Sequence, residues 1–242
     1  MKIENFIGTS GFSYSHWKGV FYPENLPSSK FLEFYAEKFN TVEMNSTFYH
    51  TPRNSTIKNW VEKTPKNFVF SVKASRFITH IRRLKDAEDS VKKFLEKAGL
   101  FGEKLGVILF QLPPSLKKDT SLLSDFVKTL NKDKKYAFEF RHKTWFSDDV
   151  YEILKENNIA FCISDTPRYP YAEKITANFS YIRLHGHTQL YASEYTEKQL
   201  EHYANLILEN NKNGISFYVY FDNDFYGYAV KNALELKRLV QE

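Results

Sequence analysis

The sequence reads Glu139-Phe140-Arg141 at the end of a segment with strand-like composition, so that two charged side chains flank one apolar side chain. Successive side chains of a β-strand point to opposite faces, and the triplet therefore places both charges on one face. One face of the predicted sheet must meet a polar interior. The same alternation recurs at Glu43-Met44-Asn45, Ser71-Val72-Lys73, Arg183-Leu184-His185 and Tyr220-Phe221-Asp222.

Eight segments have the composition of strands, and most gaps between them carry apolar residues at helical spacing. Successive strands begin about 30 residues apart, which is the length of a βαβ unit. We therefore predict one α/β domain over residues 1–242, a single (β/α)8 TIM-type barrel with an irregular sixth unit around Pro167 and Pro170. The predicted strands are 6–9, 41–45, 68–74, 105–112, 136–140, 159–164, 181–184 and 217–221.

Composition limits the cellular setting and the partners. The net charge of +5, from 34 Lys+Arg against 29 Asp+Glu, is a mild excess and does not by itself indicate nucleic acid. The single cysteine, Cys162, excludes an internal disulfide, and the first residues lack the pattern of a secretion signal. We expect a cytoplasmic protein without a membrane span; the oligomeric state stays unknown.

Barrel enzymes carry their active sites at the carboxyl ends of the strands, where the polar alternation lies. Cys162, out of phase with Asp165, is expected to point towards the helices. Charges in the predicted inward set nearly cancel, so a self-neutralised network that only fixes strand register is the structural alternative to a functional site. The predicted inward residues are Glu43, Asn45, Lys73, Gln111, Glu139, Arg141, Asp165, Arg183, His185 and Asp222.

Several motifs follow one another along the chain. They are Gly8-Thr9-Ser10-Gly11 with Trp17, Glu43 to Tyr49, Lys73 with Thr79-His80, Gln111-Leu112-Pro113-Pro114, Glu139 to His142 with Trp145, and Arg183-Leu184-His185-Gly186. Together they resemble the domain of unknown function 72 family, the YecE-like proteins. The resemblance implies a TIM-type barrel, and the family's activity is not established. This sequence departs from the family pattern at Phe12, where Trp is usual, and at Asp222-Asn223-Asp224, which replaces a more amide-rich run.

Four residues are the predicted catalytic groups: Glu43, Glu139, His185 and Asp222. Carboxylates in a dry, charged cavity can have their pKa values driven apart, which would give one acid and one base. Histidine titrates nearest neutral pH. The alternative role for each is that of an ion-pair partner, for example to Arg183.

The predicted substrate-binding groups combine cations, amides and aromatic rings. Lys73 is expected to anchor an anion, with a Schiff-base role as the alternative. A basic loop after the third strand, which includes Arg82, Arg83 and Lys85, is expected to grip phosphate, and solvated surface charge is its alternative. The set is Asn45, Lys73, Arg76, His80, Gln111, Arg141, Arg183, Tyr14, Trp17 and Trp145.

We predict no cofactor and no metal. Neither a GxGxxG nor a P-loop sequence occurs. His185 and His187 share a face and could join Glu139 or Asp222 as metal ligands, but the neighbouring arginines and lysine would repel a divalent cation.

Three functions remain as hypotheses. The preferred one is an enzyme, of the hydrolase, lyase or isomerase class, that uses acid/base chemistry on a small anionic substrate such as a sugar phosphate or nucleotide. The second is nucleic-acid binding or processing, by analogy with endonuclease IV-like barrels. The third is noncatalytic ligand binding or a structural role, which predicts an inward cluster that is fully paired.

Overall fold

The computed structural model describes residues 3–241 and contains one sheet of eight parallel strands. The hydrogen-bonded order runs β1-β8-β7-β6-β5-β4-β3-β2, as in a barrel. All eight predicted strands are confirmed, with ends shifted by one or two residues. The strands are β1 Asn5–Thr9, β2 Thr41–Met44, β3 Val69–Lys73, β4 Leu105–Gln111, β5 Lys135–Glu139, β6 Ala160–Asp165, β7 Phe179–Leu184 and β8 Ser216–Phe221.

Helices follow seven of the eight strands and cover the outside of the barrel. Residues 166–178, between β6 and β7, contain no helix, which confirms the irregular sixth unit. No helix within residues 3–241 has both the length and the apolar character needed to cross a membrane. The helices are α1 Phe31–Lys38, α2 Ser46–Tyr49, α3 Asn54–Glu62, α4 Glu88–Ala98, α5 Thr120–Lys128, α6 Asp148–Glu156, α7 Glu197–Asn211 and α8 Tyr228–Gln241.

The ring of strands closes between β1 and β2 through a side chain. The hydroxyl of Tyr35 accepts a hydrogen bond from the backbone N–H of Thr9 at 2.9 Å and donates to the carbonyl of Thr41 at 3.0 Å. At Gly8 a Cβ atom would lie 2.4 Å from the Thr41 carbonyl oxygen, so only glycine fits this close approach. Beyond this point, the N–H of Gly11 donates to the carbonyl of Glu43 at 2.8 Å and completes the closure.

The lower interior of the barrel is filled by an apolar and aromatic plug. Cys162 belongs to this plug, so the expectation that it points towards the helices is wrong. Burial and the charge of Glu139 raise the pKa of the Cys162 thiol. This suits a cysteine that packs as a small apolar residue beneath a cluster of charges. The plug comprises Phe6, Val107, Leu109, Ala137, Ala160, Cys162, Ala177, Phe179, Tyr181, Tyr218 and Tyr220.

Candidate functional site at the barrel mouth

Arg183, from β7, lies at the centre of a charged cluster above the aromatic plug. Its Nη2 and Nε donate to the carboxylate of Glu43 at 2.8 Å and 3.0 Å, and its Nη1 donates to Oε2 of Glu139 at 2.7 Å. All three side chains are at most 1% exposed. A charge buried to this degree needs a partner, and each carboxylate therefore balances the guanidinium in a low-dielectric site.

Two neutral hydroxyls complete the partners of Glu43. Ser10 Oγ donates to Oε1 at 2.5 Å, and the hydroxyl of Tyr181 donates to Oε2 at 2.6 Å. We call Ser10, Glu43, Glu139, Tyr181 and Arg183 the buried network. Each charged side chain of the buried network has several hydrogen-bond partners among the described residues. Such pairing is typical of a preorganised polar network that holds its members in place.

A second set of charged side chains, from the end of β3 and from the residues after β5 and β8, reaches solvent. We call Lys73, Arg141 and Asp222 the mouth group. Arg141 and Asp222 have 13% and 17% of their side-chain surface exposed, and Lys73 is 9% exposed as a residue. Among the two sets, only the mouth group presents charged side chains to solvent, because the buried network is closed to it.

His185 joins the two sets. Its Nε2 lies 3.3 Å from Nη1 of Arg183, and its Nδ1 lies 2.8 Å from Oδ2 of Asp222. A guanidinium only donates hydrogen bonds, so Nε2 accepts and Nδ1–H donates to the carboxylate. The ring is therefore held in a fixed orientation between a cation and an anion.

The cations of the mouth group are held in different ways. Nε of Arg141 donates to Oε1 of Glu139 at 2.7 Å, and its guanidinium lies 4.8 Å from the ring centre of Tyr169. The ammonium of Lys73 lies 4.3 Å from the ring centre of Phe48. Within residues 3–241 that ammonium has no hydrogen-bond acceptor, so it is the incompletely paired cation of the site.

Electrostatics separate the titratable groups by role. Burial opposes ionisation of Glu139, but Arg141 and Arg183 outweigh it and hold the pKa of this carboxyl well below its usual value. Burial also opposes ionisation of Asp222, but the hydrogen bond from His185 acts in the other direction, and the pKa of this carboxyl is lowered. This geometry favours the ion-pair role for Glu139, because a firmly ionised carboxylate is a poor proton donor.

Lysine and histidine at the mouth have pKa values shifted towards their neutral forms. Burial, together with the charge of Arg183, lowers the pKa of Lys73 to about 8. Burial and the nearby Lys73 lower the pKa of His80 to about 4. Bringing an anion to this place would favour the charged lysine, so ligand binding and protonation of Lys73 are coupled.

Asp165 does not belong to the cluster, contrary to expectation. Because Cys162 faces the barrel interior, Asp165 points to the outer side of β6, where it lies 3.0 Å from the hydroxyl of Tyr203. Without Asp165, the cluster contains the three carboxylates Glu43, Glu139 and Asp222 and the three cations Lys73, Arg141 and Arg183. The inward charges therefore balance when His185 is neutral.

His187 also lies apart from His185, although two residues that are two positions apart in a strand would share a face. Gly186 has a φ of +100°, which ends the strand alternation directly after β7. His187 Nδ1 then contacts Asp165 at 3.1 Å, while His185 contacts Asp222 at 2.8 Å. Within residues 3–241 no three His, Cys, Asp or Glu side chains are grouped as a metal site would require.

The two predicted amide side chains differ in position. Gln111 follows the inward-facing Val107 and Leu109 on β4, is 3% exposed, and has an Oε1 atom without a partner in the described residues. Asn45 adopts the αR conformation after β2 and borders a groove with Phe12 outside the strand ring. Gln111 thus belongs to the mouth, whereas Asn45 is not brought to the cluster.

The predicted aromatic residues are mostly structural in their contacts. Trp145 stacks on Phe140, is fully buried, and donates its indole N–H to the carbonyl of Leu116 at 2.7 Å. Trp17 is fully buried and donates to Oδ1 of Asp224 at 2.5 Å. Neither ring is brought to the mouth.

Tyr14 and the basic loop lie at the edge of the site. The hydroxyl of Tyr14 donates to the carbonyl of Ser10 at 2.6 Å, directly beside the buried network. His80 lies on a short π-helix, Phe77–Ile81, with Arg76 exposed at its start. Arg83 donates to the carbonyl of Ser115 at 2.7 Å, so this part of the predicted phosphate grip is already engaged within the protein.

Five residues that shape the site are absent from the predicted set of catalytic and substrate-binding residues. Ser10 and Tyr181 hold Glu43, and Tyr181 could have been found because it precedes Arg183 by two residues on the same strand. Aromatic rings from three loops contact the cations and His185: Phe48, Tyr169 and Tyr191, the last with its ring centre 5.6 Å from that of His185.

The protein is an α/β barrel of eight parallel strands. It carries an arginine-centred carboxylate network at the carboxyl ends of those strands. The chain belongs to the family described as protein of unknown function DUF72, which matches residues 6–242. The family resemblance seen in the sequence is thereby confirmed.

Relatives and solved structures agree with this assignment. The chain is 26% identical to UPF0759 protein YunF of Bacillus subtilis, over 90% of this chain and 89% of that protein. It is 32% identical to UPF0759 protein YecE of Escherichia coli over 48% of this chain and 43% of that one. A crystal structure of a DUF72 family protein from Thermotoga maritima matches with a TM-score of 0.90 and 31% identity, covering 99% of this chain and all of the other. A second, from Enterococcus faecalis, shares the fold with a TM-score of 0.84 and 21% identity, covering 98% and 95%.

Proposed function

We propose that the protein is a cytoplasmic enzyme that uses acid/base chemistry on a small anionic substrate bound at the barrel mouth. The observation that carries the proposal is Lys73, a mostly buried cation without a hydrogen-bond acceptor in the described residues. A buried ammonium in this state is costly unless a ligand completes its coordination.

The geometry supports a division of roles. Lys73 and Arg141 bind the anionic group, and the partnerless Oε1 of Gln111 accepts a hydrogen bond from a substrate hydroxyl. This combination of two cations with a hydroxyl acceptor suits a sugar phosphate better than a simple anion. Asp222 is the proton-accepting group, and His185, hydrogen-bonded to it at 2.8 Å, orients its carboxylate.

Glu43 and Glu139 are assigned to positioning. Each is held by Arg183, and each is closed to solvent. Their charges fix the guanidinium against which His185 rests, so they act on the reaction through that ring.

Binding is tested by calorimetric titration with ribose 5-phosphate, glucose 6-phosphate, AMP and inorganic phosphate. We expect at least one of the organic phosphates to bind, and Lys73→Met to weaken that binding roughly 30-fold, because a partly buried ion pair loses one partner. The matched control is Lys66→Met, at an exposed lysine before β3, which should bind as wild type does. Equal affinity in all three proteins would contradict the proposal.

Catalysis is tested with the phosphate that binds best, by following deuterium incorporation from heavy water, or product formation, by NMR. Asp222→Asn should retain binding and lose turnover. Binding without turnover in the wild type would instead indicate a noncatalytic ligand-binding protein. Binding of single-stranded DNA that falls steeply with salt and is indifferent to Lys73→Met would indicate nucleic-acid recognition.

A further inference from the structure

A cavity lies outside the ring of strands, where the sixth barrel helix is missing. The connection between β6 and β7 is a loop, and this loop and the start of α7 contribute residues to the cavity wall on the outer side of the strands. The cavity has a volume of about 670 Å³, which is within the range of small-molecule sites. Its walls include Asp165, Pro167, Tyr171, His187, Lys198 and Tyr203.

An aspartate–histidine pair forms one side of this cavity. Nδ1 of His187 lies 3.2 Å and 3.1 Å from the two carboxylate oxygens of Asp165, and the hydroxyl of Tyr203 donates to Oδ2 of Asp165 at 3.0 Å. Asp165 is 6% exposed, whereas the His187 side chain is 54% exposed. Because the carboxylate accepts from Nδ1–H, the ring is oriented with Nε2 available to a ligand.

A second carboxylate beside the cavity is also covered by donors. Nε2 of His202 lies 2.6 Å from Oε1 of Glu173, and the hydroxyl of Tyr171 donates to the same oxygen. Lys198 contributes an ammonium that forms no ion pair within the described part of the chain. The acidic groups are thus occupied, and the groups left for a ligand are the Lys198 ammonium and Nε2 of His187.

We propose that this cavity is a second small-molecule site, separate from the barrel mouth, that binds a small aromatic acid. Pro167, Tyr171 and Tyr203 provide an apolar wall against which a planar ring can pack. A carboxylate or phosphate on that ring meets the Lys198 ammonium and the exposed imidazole of His187, which Asp165 orients. The site is independent of the mouth because Asp165 and His187 lie on the outer side of β6 and β7, away from Arg183.

The test uses benzoate and phenyl phosphate as probes and follows the ring carbon–proton signals of histidine by NMR in the intact folded chain. Both probes should shift the His187 and His202 signals in a saturable way and leave exposed His50 unmoved. Comparison of the two probes shows whether the site prefers carboxylate or phosphate. Benzyl alcohol, which has the ring without the charge, should bind at least 10-fold more weakly.

Two substitutions at exposed positions keep the test independent of folding. Lys198→Ala and His187→Asn should each weaken benzoate binding about 10-fold, read from the His202 signal, whereas Lys66→Ala should not change it. The proposal is overturned if neither probe moves the His187 signal at 10 mM concentrations, on the order of the weakest useful affinities. It is equally overturned if Lys73→Met removes the shifts, because the probes would then bind at the mouth.

Discussion

The buried network and the mouth group both combine acidic and basic side chains, touch each other, and differ in how completely they are paired. In the buried network, Arg183 faces two carboxylates, and every charged side chain is closed to solvent. In the mouth group, Lys73 has an aromatic ring beside it and no acceptor in the described residues. Charged side chains inside a barrel can therefore serve either as a structural scaffold or as a binding surface. The two are distinguished by whether each charged group already has its partners within the protein.

Removal of the central cation should have the largest effect. Arg183→Met leaves Glu43 and Glu139 buried without their shared partner, and we expect a loss of about 3–5 kcal/mol in the free energy of unfolding. Chemical denaturation measures it, with Arg53→Met at an exposed position as the control. A loss below that of the control would mean that the network does not support the barrel.

A smaller loss is expected when only a neutral donor to the buried network is removed. Tyr181→Phe deletes the hydroxyl that donates to Glu43 at 2.6 Å, a charge-assisted hydrogen bond. We expect the free energy of unfolding to fall by about 1.5–3 kcal/mol in denaturant titrations. An unchanged value would show that Glu43 is satisfied without Tyr181.

The mouth group should respond in the opposite direction. Lys73→Met removes an unpaired buried charge, and the free energy of unfolding at pH 7 should rise by about 1–3 kcal/mol. Wild-type stability should also rise between about pH 8 and about pH 10.5, because the folded state, with the pKa of Lys73 lowered to about 8, binds fewer protons than the unfolded state. The variant should lack that rise, and Lys85→Met should keep it. A lower free energy of unfolding in Lys73→Met would contradict this prediction and would show that Lys73 stabilises the fold.

Acid should reveal a more modest contribution from Asp222. Its pKa is lowered in the folded protein, so its stabilising effect is complete above the ordinary carboxyl range near pH 4 and is lost as pH falls below it. Unfolding free energies at pH 7, 5 and 3.5 should therefore fall less in Asp222→Asn than in wild type. A steeper decline in the variant would contradict the sign of the shift.

The sequence predicts the strands well because period-two alternation and βαβ spacing are local properties. It mispredicts the phase of β6, since Cys162, Ile163 and Ser164 are buried on both faces of that strand and show no alternation. Backbone conformation explains the other differences. The positive φ of Gly186 separates His187 from His185, and the αR conformation of Asn45 turns it out of the ring.

The pairing inside the site could not be predicted from composition. The sequence indicates three cations and a set of carboxylates at the mouth, but which carboxylate meets Arg183 depends on strand register and side-chain reach. Glu43 and Glu139 are separated by nearly 100 residues along the chain and both meet one guanidinium only because the ring closes.

The division between scaffold and binding surface is tested most directly by a crystal structure determined with ribose 5-phosphate. The account predicts a phosphate bound between Nζ of Lys73 and the guanidinium of Arg141, about 3 Å from each, with the contacts of Arg183 to Glu43 and Glu139 unchanged. A phosphate bound elsewhere, with Lys73 paired to a protein carboxylate, would contradict it.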